Sequence, residues 1–516
     1  MDKVAAAGHI ITLTVLAWGH TKCACGMVAK AVRFKPIYAT VFVGLPFFER
    51  TKKEIDSHFI SGEEDHLRNL IRVVGLKCDA LPYETTTLND EFLKLYKKLL
   101  ASESIPEQPE SDVHLPAIEP PRLFVLDFFL NNTLYAVRSI SGKSVPIYTL
   151  QSGGSTGILF LFSPEHLGGN GDLEEKLKKI TTEDEEQRKK ETIEIYRRCY
   201  GEVVKIPGLP PMYDYEFSPQ ESIFGHEISA FSAPVHKFFN ESDGVVLNTI
   251  PEFEEDAINA VQSWFGDDPV FSTGPFDFSL IEKKEEASPG ALEVRAFLDK
   301  ALKDHGPHSV LYISFGSMFW FKDPSKLLPF FEVLLEKRRP FIFSIASPFA
   351  MFPDEMRERI LNSGLAYISS WAPQIDILNH EATGWFMSHC GHNSTIESLS
   401  AGVPMICCPF DADQPANAAN LSHTHDVAYE LFELRTGHGL RPIHRLGDRQ
   451  PEGTEESIRR EILEILEKAS GPDGQRKREN ARRFKEAIKR SWAPDGSNWK
   501  EIERLVNIAS EKELRN

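Results

Sequence analysis

The stretch from Trp371 to Gln414 reads WAPQIDILNHEATGWFMSHCGHNSTIESLSAGVPMICCPFDADQ. An apolar run, Trp385–Met387, leads into Ser388-His389-Cys390-Gly391-His392-Asn393-Ser394. A helix is expected from there to about Ala401, stopped by Gly402 and Pro404, and Val403–Cys407 reads as the next strand. Gly391 lets a ligand approach the backbone, and Asn393 or Ser394 is placed to cap the helix. The free amides of its first turn would point at an anion, with the helix dipole in the favourable sense. His389 can donate to the same anion. Glu397, one turn further on, suits the two hydroxyls of a ribose better than a phosphate. Trp371 offers a face for a flat base. A nucleotide-sugar pocket has these parts.

Outward from this segment, short apolar strands alternate with amphipathic helices, the pattern of an α/β protein with mainly parallel sheets. Strands are expected at Val310–Phe315, Phe341–Ile345 and Ala366–Ser369 on the near side. Further back they are expected at Ile10–Ala17, Tyr38–Val43, Ile71–Leu76, Leu123–Leu126, Val145–Leu150 and Val245–Asn248. Two doubly wound domains follow, as 516 residues exceed what one core usually serves. The expected limits are 1–274, with an insertion at 164–219, and 301–490. A linker at 275–300 lies between them, and 491–516 forms a C-terminal helix. Within the insertion, Asp172–Tyr200 reads as one charged helical stretch with Leu173, Leu177 and Ile180 on its apolar side.

The Trp371–Gln414 segment resembles the donor-binding signature of family 1 UDP-glycosyltransferases, with Trp371-Ala-Pro-Gln374 most like the plant enzymes. The resemblance implies the GT-B fold, two facing Rossmann-like domains, with the last helix (about Ser497 to Glu511) crossing back onto the first. It implies that Trp371 stacks on uracil with Ala372 at its edge, and that Gln374 and Glu397 bind ribose. His389, Asn393 and Ser394 would hold the diphosphate, and Asp413 and Gln414 the sugar hydroxyls. Ser317, in Ser314-Phe-Gly316-Ser317, falls in the family's other phosphate-contacting loop. His392 stands where the plant enzymes usually carry Trp, a departure beside the donor sugar; Gln414 favours glucose.

Trp18-Gly19-His20-Thr21 follows the first strand, ahead of a helix expected from about Cys23 to Phe34. A histidine at the C-terminal edge of a first parallel strand faces the cleft of an open α/β sheet. The family has its catalytic histidine there, so His20 is the expected base. Asp127, ending Leu123-Phe-Val-Leu126, is the acid expected to orient it; capping of the next helix is the plainer reading of Asp127. Ser152 is a weaker candidate for the sugar's outer hydroxyl.

The net charge of −18 argues against a nucleic-acid or anionic-membrane partner. Seven scattered cysteines fit reduced thiols in a cytoplasmic protein, and the apolar run Ile10–Ala17 is too short for a membrane span. His389, Cys390 and His392 cannot easily converge on one metal ion. Asp411-Ala-Asp413 imitates a metal-binding DxD motif, but its position favours sugar contact by Asp413 and solvation of Asp411. His423, His425 and the Arg476-Lys477-Arg478 run read as surface. Phe47, Phe48, Phe128, Phe129, Phe160 and Phe162 are equally compatible with packing and with an acceptor pocket.

The expected activity is therefore inverting transfer of a hexosyl group, glucose first, from a UDP-sugar to the hydroxyl of a small apolar acceptor. No cofactor or metal is expected, and the chain is expected to act as a monomer. A UDP-sugar epimerase or hydrolase, and an inert UDP-sugar-binding protein, are the rival readings.

Overall fold

Parallel strands covered on both faces have no solvent side, and every strand of the two parallel sheets except the half-buried Ala366–Ser369 is buried over most or all of its length. The computed structural model describes residues 6–79, 81, 83–276 and 289–510. Among them, the first sheet contains β1 (His9–Leu13), β2 (Tyr38–Gly44), β3 (Ile71–Leu76), β4 (Leu123–Asp127), β5 (Ile147–Gln151), β6 (Val245–Leu247) and β7 (Val270–Ser272). Their order is β7-β6-β5-β4-β1-β2-β3, all parallel. The second sheet contains β8 (Val310–Ser314), β9 (Phe341–Ser344), β10 (Ala366–Ser369), β11 (Thr383–Ser388), β12 (Met405–Cys407) and β13 (Ala428–Glu430). Their order is β10-β9-β8-β11-β12-β13, again all parallel.

In each sheet the chain reverses its direction of winding at one strand, β1 in the first and β8 in the second. Crossovers leave a crevice there, beyond the carboxyl ends of the strands. Leu13 pairs with Leu126 across β1 and β4, which brings the following residues, His20 and Asp127, to the first crevice. Ser314 pairs with Ser388 across β8 and β11, which brings Gly316 and His389 to the second. The two crevices face each other.

Several elements differ from the sequence expectation. The helix after β1 spans Trp18–Phe34, not Cys23–Phe34, so His20 rides on its first turn. The charged insertion is two helices, Leu173–Leu177 and Glu185–Arg197. Asp184, whose side chain accepts from Gln187 N, caps the second and ends any continuous run. Of the 275–300 linker, 277–288 lies outside the described residues, and Pro289–His305 is a helix. Its Val294, Leu298 and Ala301 enter the core beneath the second sheet, so this part belongs to that domain. β7 and β13, three residues each, are too short to show a pattern in sequence. The final helix, Ser497–Ser510, inserts Ile502, Leu505, Val506 and Ala509 among first-domain core residues such as Ile10 and Val28.

Candidate active site

The first crevice holds an oriented imidazole. His20 Nδ1 lies 2.8 Å from Asp127 Oδ2. Asp127 is fully buried, and it also accepts from Val15 N at 3.3 Å and Phe129 N at 3.1 Å. It does not cap the next helix, whose N-cap is Leu130 without a side-chain bond. With Nδ1–H donated to the carboxylate, Nε2 carries the lone pair of a base. Burial acts to lower the His20 pKa, but the Asp127 charge and hydrogen bond, with a smaller contribution from Asp413, carry it above its ordinary value. The Phe128 and Phe129 rings stand 5.5 and 5.8 Å from the imidazole. Phe129 is half-buried and stacks on Phe231, whereas Phe48, Phe128, Phe160 and Phe162 are buried packing residues.

The second crevice presents a bare helix N-terminus. The helix His392–Ala401 has Gly391 as N-cap and no side-chain cap. Asn393 and Ser394 do not cap it as expected: Asn393 Nδ2 donates to Gly19 O at 3.1 Å, and Ser394 Oγ receives Gln374 Nε2 at 3.4 Å. The first-turn amides thus keep their donors for an anion. His389 lies in the same turn between two glycines. A Cβ on Gly316 would come within 2.7 Å of its ring, and one on Gly391 within 2.5 Å, so a side chain at either position would displace the imidazole. Gly316 also has φ +74°, which favours glycine on conformational grounds. Burial pushes the His389 imidazole down to about 4, with a backbone hydrogen bond at Ser314 pulling the other way. It therefore donates as a neutral ring at neutral pH. Ser317 is exposed in the same loop.

Trp371 is 44% exposed, and its main chain is bonded through both N and O to Ser369 Oγ. Ala372 is half-buried beside it. Gln374 donates to Glu397 Oε2 at 2.6 Å and accepts from Tyr312 O–H at 3.1 Å. Glu397 is 8% exposed, and its other oxygen pairs with Lys22 Nζ at 2.5 Å.

The far end of the cleft brings Asp413, Gln414 and the Ser152 loop together. Asp413 Oδ2 accepts from Gly154 N at 3.1 Å and Asn417 Nδ2 at 3.0 Å. Gln414 is buried and accepts from Phe410 N at 2.9 Å. Ser152 is buried, two residues before Gly154. Around them, Gln151 (both amide atoms), Asn248 Oδ1, Asn417 Oδ1 and His392 Nδ1 are buried without a partner. Buried polar atoms without partners are costly, and a polyhydroxylated ligand would supply them. His392 donates through Nε2 to Asn248 O at 2.6 Å, so it ties the helix His392–Ala401 to the first domain.

Three residues read as surface or solvated are not so. Asp411 is 16% exposed, accepts from Ala412 N and lies 3.8 Å from Arg197. His425 stacks on Phe253 and bonds its carbonyl at 2.8 Å. Lys477 is buried against Asp426, whereas Arg476 is exposed, as expected, and pairs with Asp426 and Asp473 at the surface. His423 is exposed, as expected. Sequence reading missed Lys22, Tyr312, Asn248 and Asn417. Tyr312 lies two residues before Ser314 on one strand face, and Asn417 one helical turn after Asp413, so both had a signal. Lys22 had none without the true start of its helix.

The fold is GT-B. The model of the family "UDP-glucoronosyl and UDP-glucosyl transferase" matches residues 283–437. Anthocyanidin 3-O-glucosyltransferase 7 of Manihot esculenta is 30% identical over 307 residues, covering 59% of this chain and 96% of that protein. UDP-glycosyltransferase eriJ of Hericium erinaceus is 35% identical over 308 residues, which span 57% of this chain but only 60% of that protein's length. The solved structure of Phytolacca americana UGT2, complexed with UDP-2fluoro-glucose and pterostilbene, superimposes with a TM-score of 0.69 at 20% identity, covering 98% of this chain and 100% of that one. Medicago truncatula UGT71G1 complexed with UDP-glucose gives a TM-score of 0.67 at 19% identity, covering 99% and 100%. This chain belongs to the UDP-glycosyltransferase family.

Proposed function

We propose that the protein transfers a hexosyl group from a UDP-sugar to the hydroxyl of a small apolar acceptor, with inversion. The observation that carries this reading is the His20–Asp127 pair at 2.8 Å, on the helix turn that touches the donor helix through Gly19 and Asn393. His20 Nε2 takes the acceptor proton, the oxygen attacks the anomeric carbon, and the bond to UDP breaks on the opposite face. Asp127 orients the ring and stabilises the imidazolium as it forms. Negative charge developing on UDP is met by the first amides of His392–Ala401 and by His389. No metal or cofactor has a part in this reading. The half-buried Phe129 ring beside the imidazole supports an apolar acceptor.

Glucose is the proposed sugar. Gln414 at the sugar end supports it, as does the glucosyltransferase name of the Manihot esculenta relative. An oriented base has no use in an inert binder, and an aromatic wall beside it has none in an epimerase or hydrolase. A cytoplasmic monomer is the proposed setting; among the described residues no helix is long and apolar enough to cross a membrane, and the cysteines are free. His20→Ala should cut turnover by about two to four orders of magnitude and leave UDP affinity nearly unchanged. Measured with UDP-glucose and an acceptor panel, near-normal turnover in a folded His20→Ala variant would falsify the assignment.

A further inference from the structure

Two contacts, one turn apart on each helix, join Trp18–Phe34 to His392–Ala401. Asn393 Nδ2 donates to Gly19 O at 3.1 Å, and Lys22 Nζ pairs with Glu397 Oε1 at 2.5 Å. The side chains of Lys22 and Glu397 are 21% and 8% exposed, so the pair is largely shielded from solvent. Glu397 Oε2 already accepts from Gln374 at 2.6 Å, so both oxygens of the ribose-binding carboxylate are engaged.

The diphosphate site on the second domain is short of positive charge. It offers main-chain amides, Asn393, Ser394 and a His389 ring that burial keeps neutral. The chain carries a net charge of −18, and Glu397 and Asp413 add carboxylates to the same cleft. The space between the two helices is lined by Lys22 together with Glu54, His58 and Glu397. Lys22 is the permanent cation among these described residues. Its flexible four-carbon stem can swing from Glu397 toward the first-turn amides, which begin five residues earlier at His392, about 7.5 Å along the axis.

We infer that Lys22 is a donor-binding residue supplied by the first domain, pairing with Glu397 here and meeting the diphosphate of a bound UDP-sugar. The inference rests on the donor reading of the second crevice. One swing of the side chain then does two things. It frees Glu397 Oε1 for a ribose hydroxyl, and it places an ammonium at the leaving group from the helix that carries His20.

Titration calorimetry of the full chain with UDP and with uridine tests this. In Lys22→Met, UDP affinity should fall about ten-fold, the size of one lost charge-assisted contact. Uridine affinity should be unchanged or higher, because uridine has no diphosphate and Glu397 is released. Lys22→Arg should keep most of the UDP affinity, and Lys22→Gln serves as a second uncharged variant if Lys22→Met does not fold. Equal weakening for both ligands would mean that Lys22 only orients Glu397. Unchanged or tighter UDP binding would make it a plug over the ribose site. Either result overturns the inference. A wild-type chain that binds neither ligand instead overturns the donor reading, and this inference with it.

Discussion

Asp127 is held by three donors, His20 Nδ1, Val15 N and Phe129 N, and this fixes which way the imidazole faces. The same carboxylate raises the His20 pKa against the lowering effect of burial. A base works only when deprotonated, so kcat/KM should fall as pH drops through a His20 pKa lying above the ordinary 6.5. The sign for stability is opposite. Because the folded pKa is raised, the His20–Asp127 attraction stabilises fully below pH 6.5 and fades as pH rises through the folded value. Asp127→Asn removes the charge while leaving the burial. Its acid limb should move to lower pH and its plateau turnover should drop by about two to four orders of magnitude. A pH–rate profile whose limb stays in place would show that some other group sets it.

The donor segment was largely legible because its parts are local: strand, tight turn and helix N-terminus fall within a few residues of each other. Gly391 and Gly316 illustrate the physical reason, since each has His389 against its would-be Cβ. The capping expectation failed for an equally physical reason. Asn393 and Ser394 are spent on Gly19 and Gln374, and the helix end stays open. The start of Trp18–Phe34 was not legible, because Trp18, Gly19 and His20 are neither caps nor a periodic apolar face. Its displacement hid Lys22. The insertion was misjudged because a capped break at Asp184 looks, in composition, like more of the same charged helix.

For the donor helix itself, Glu397 is the residue whose loss is easiest to read. Removing a buried, charge-assisted acceptor should weaken UDP binding by about 1.5–3 kcal/mol in Glu397→Ala, about one to two orders of magnitude in Kd. Glu397→Gln should lose less, because one acceptor oxygen remains. A 2′-deoxy-UDP should bind the wild type worse yet lose little further in Glu397→Ala, as both changes remove one contact. Calorimetry that found the two losses additive would separate Glu397 from the ribose and undo the orientation of the whole segment.

The two domains are also fastened far from the chemistry, and the insertion provides the fastening. Glu216, in the turn Asp214–Phe217, accepts from His444 N at 2.9 Å and from Arg445 Nε at 3.2 Å. Arg445 continues to Glu430, at the end of β13, with bonds of 2.7 and 3.0 Å, and Arg435 pairs with the same carboxylate at 2.5 Å. Arg445 is 2% exposed and both glutamates are 1% exposed or less. Burial acts to raise the Glu430 pKa, yet Arg445 and then Arg435 take it down to about 2. That depressed value means its stabilising contribution is present above pH 4.5 and lost as pH falls through about 2.

Replacing a well-packed buried pair by apolar groups can be neutral, but deleting one partner leaves charge with nothing to offset it. Arg445→Leu strips a bidentate partner from Glu430 and a side-chain cation from Glu216, at the seam between the domains. It should destabilise the chain by about 3–5 kcal/mol at pH 7. The penalty should then shrink as pH falls below the ordinary carboxylate range, since carboxyls that have lost their cation fold more easily once protonated. Urea unfolding of wild type and variant at several pH values, followed by tryptophan fluorescence, measures both effects. A loss under about 1 kcal/mol at pH 7, or a gap that does not change with pH, would mean that Arg445 packs at this seam without holding its charges.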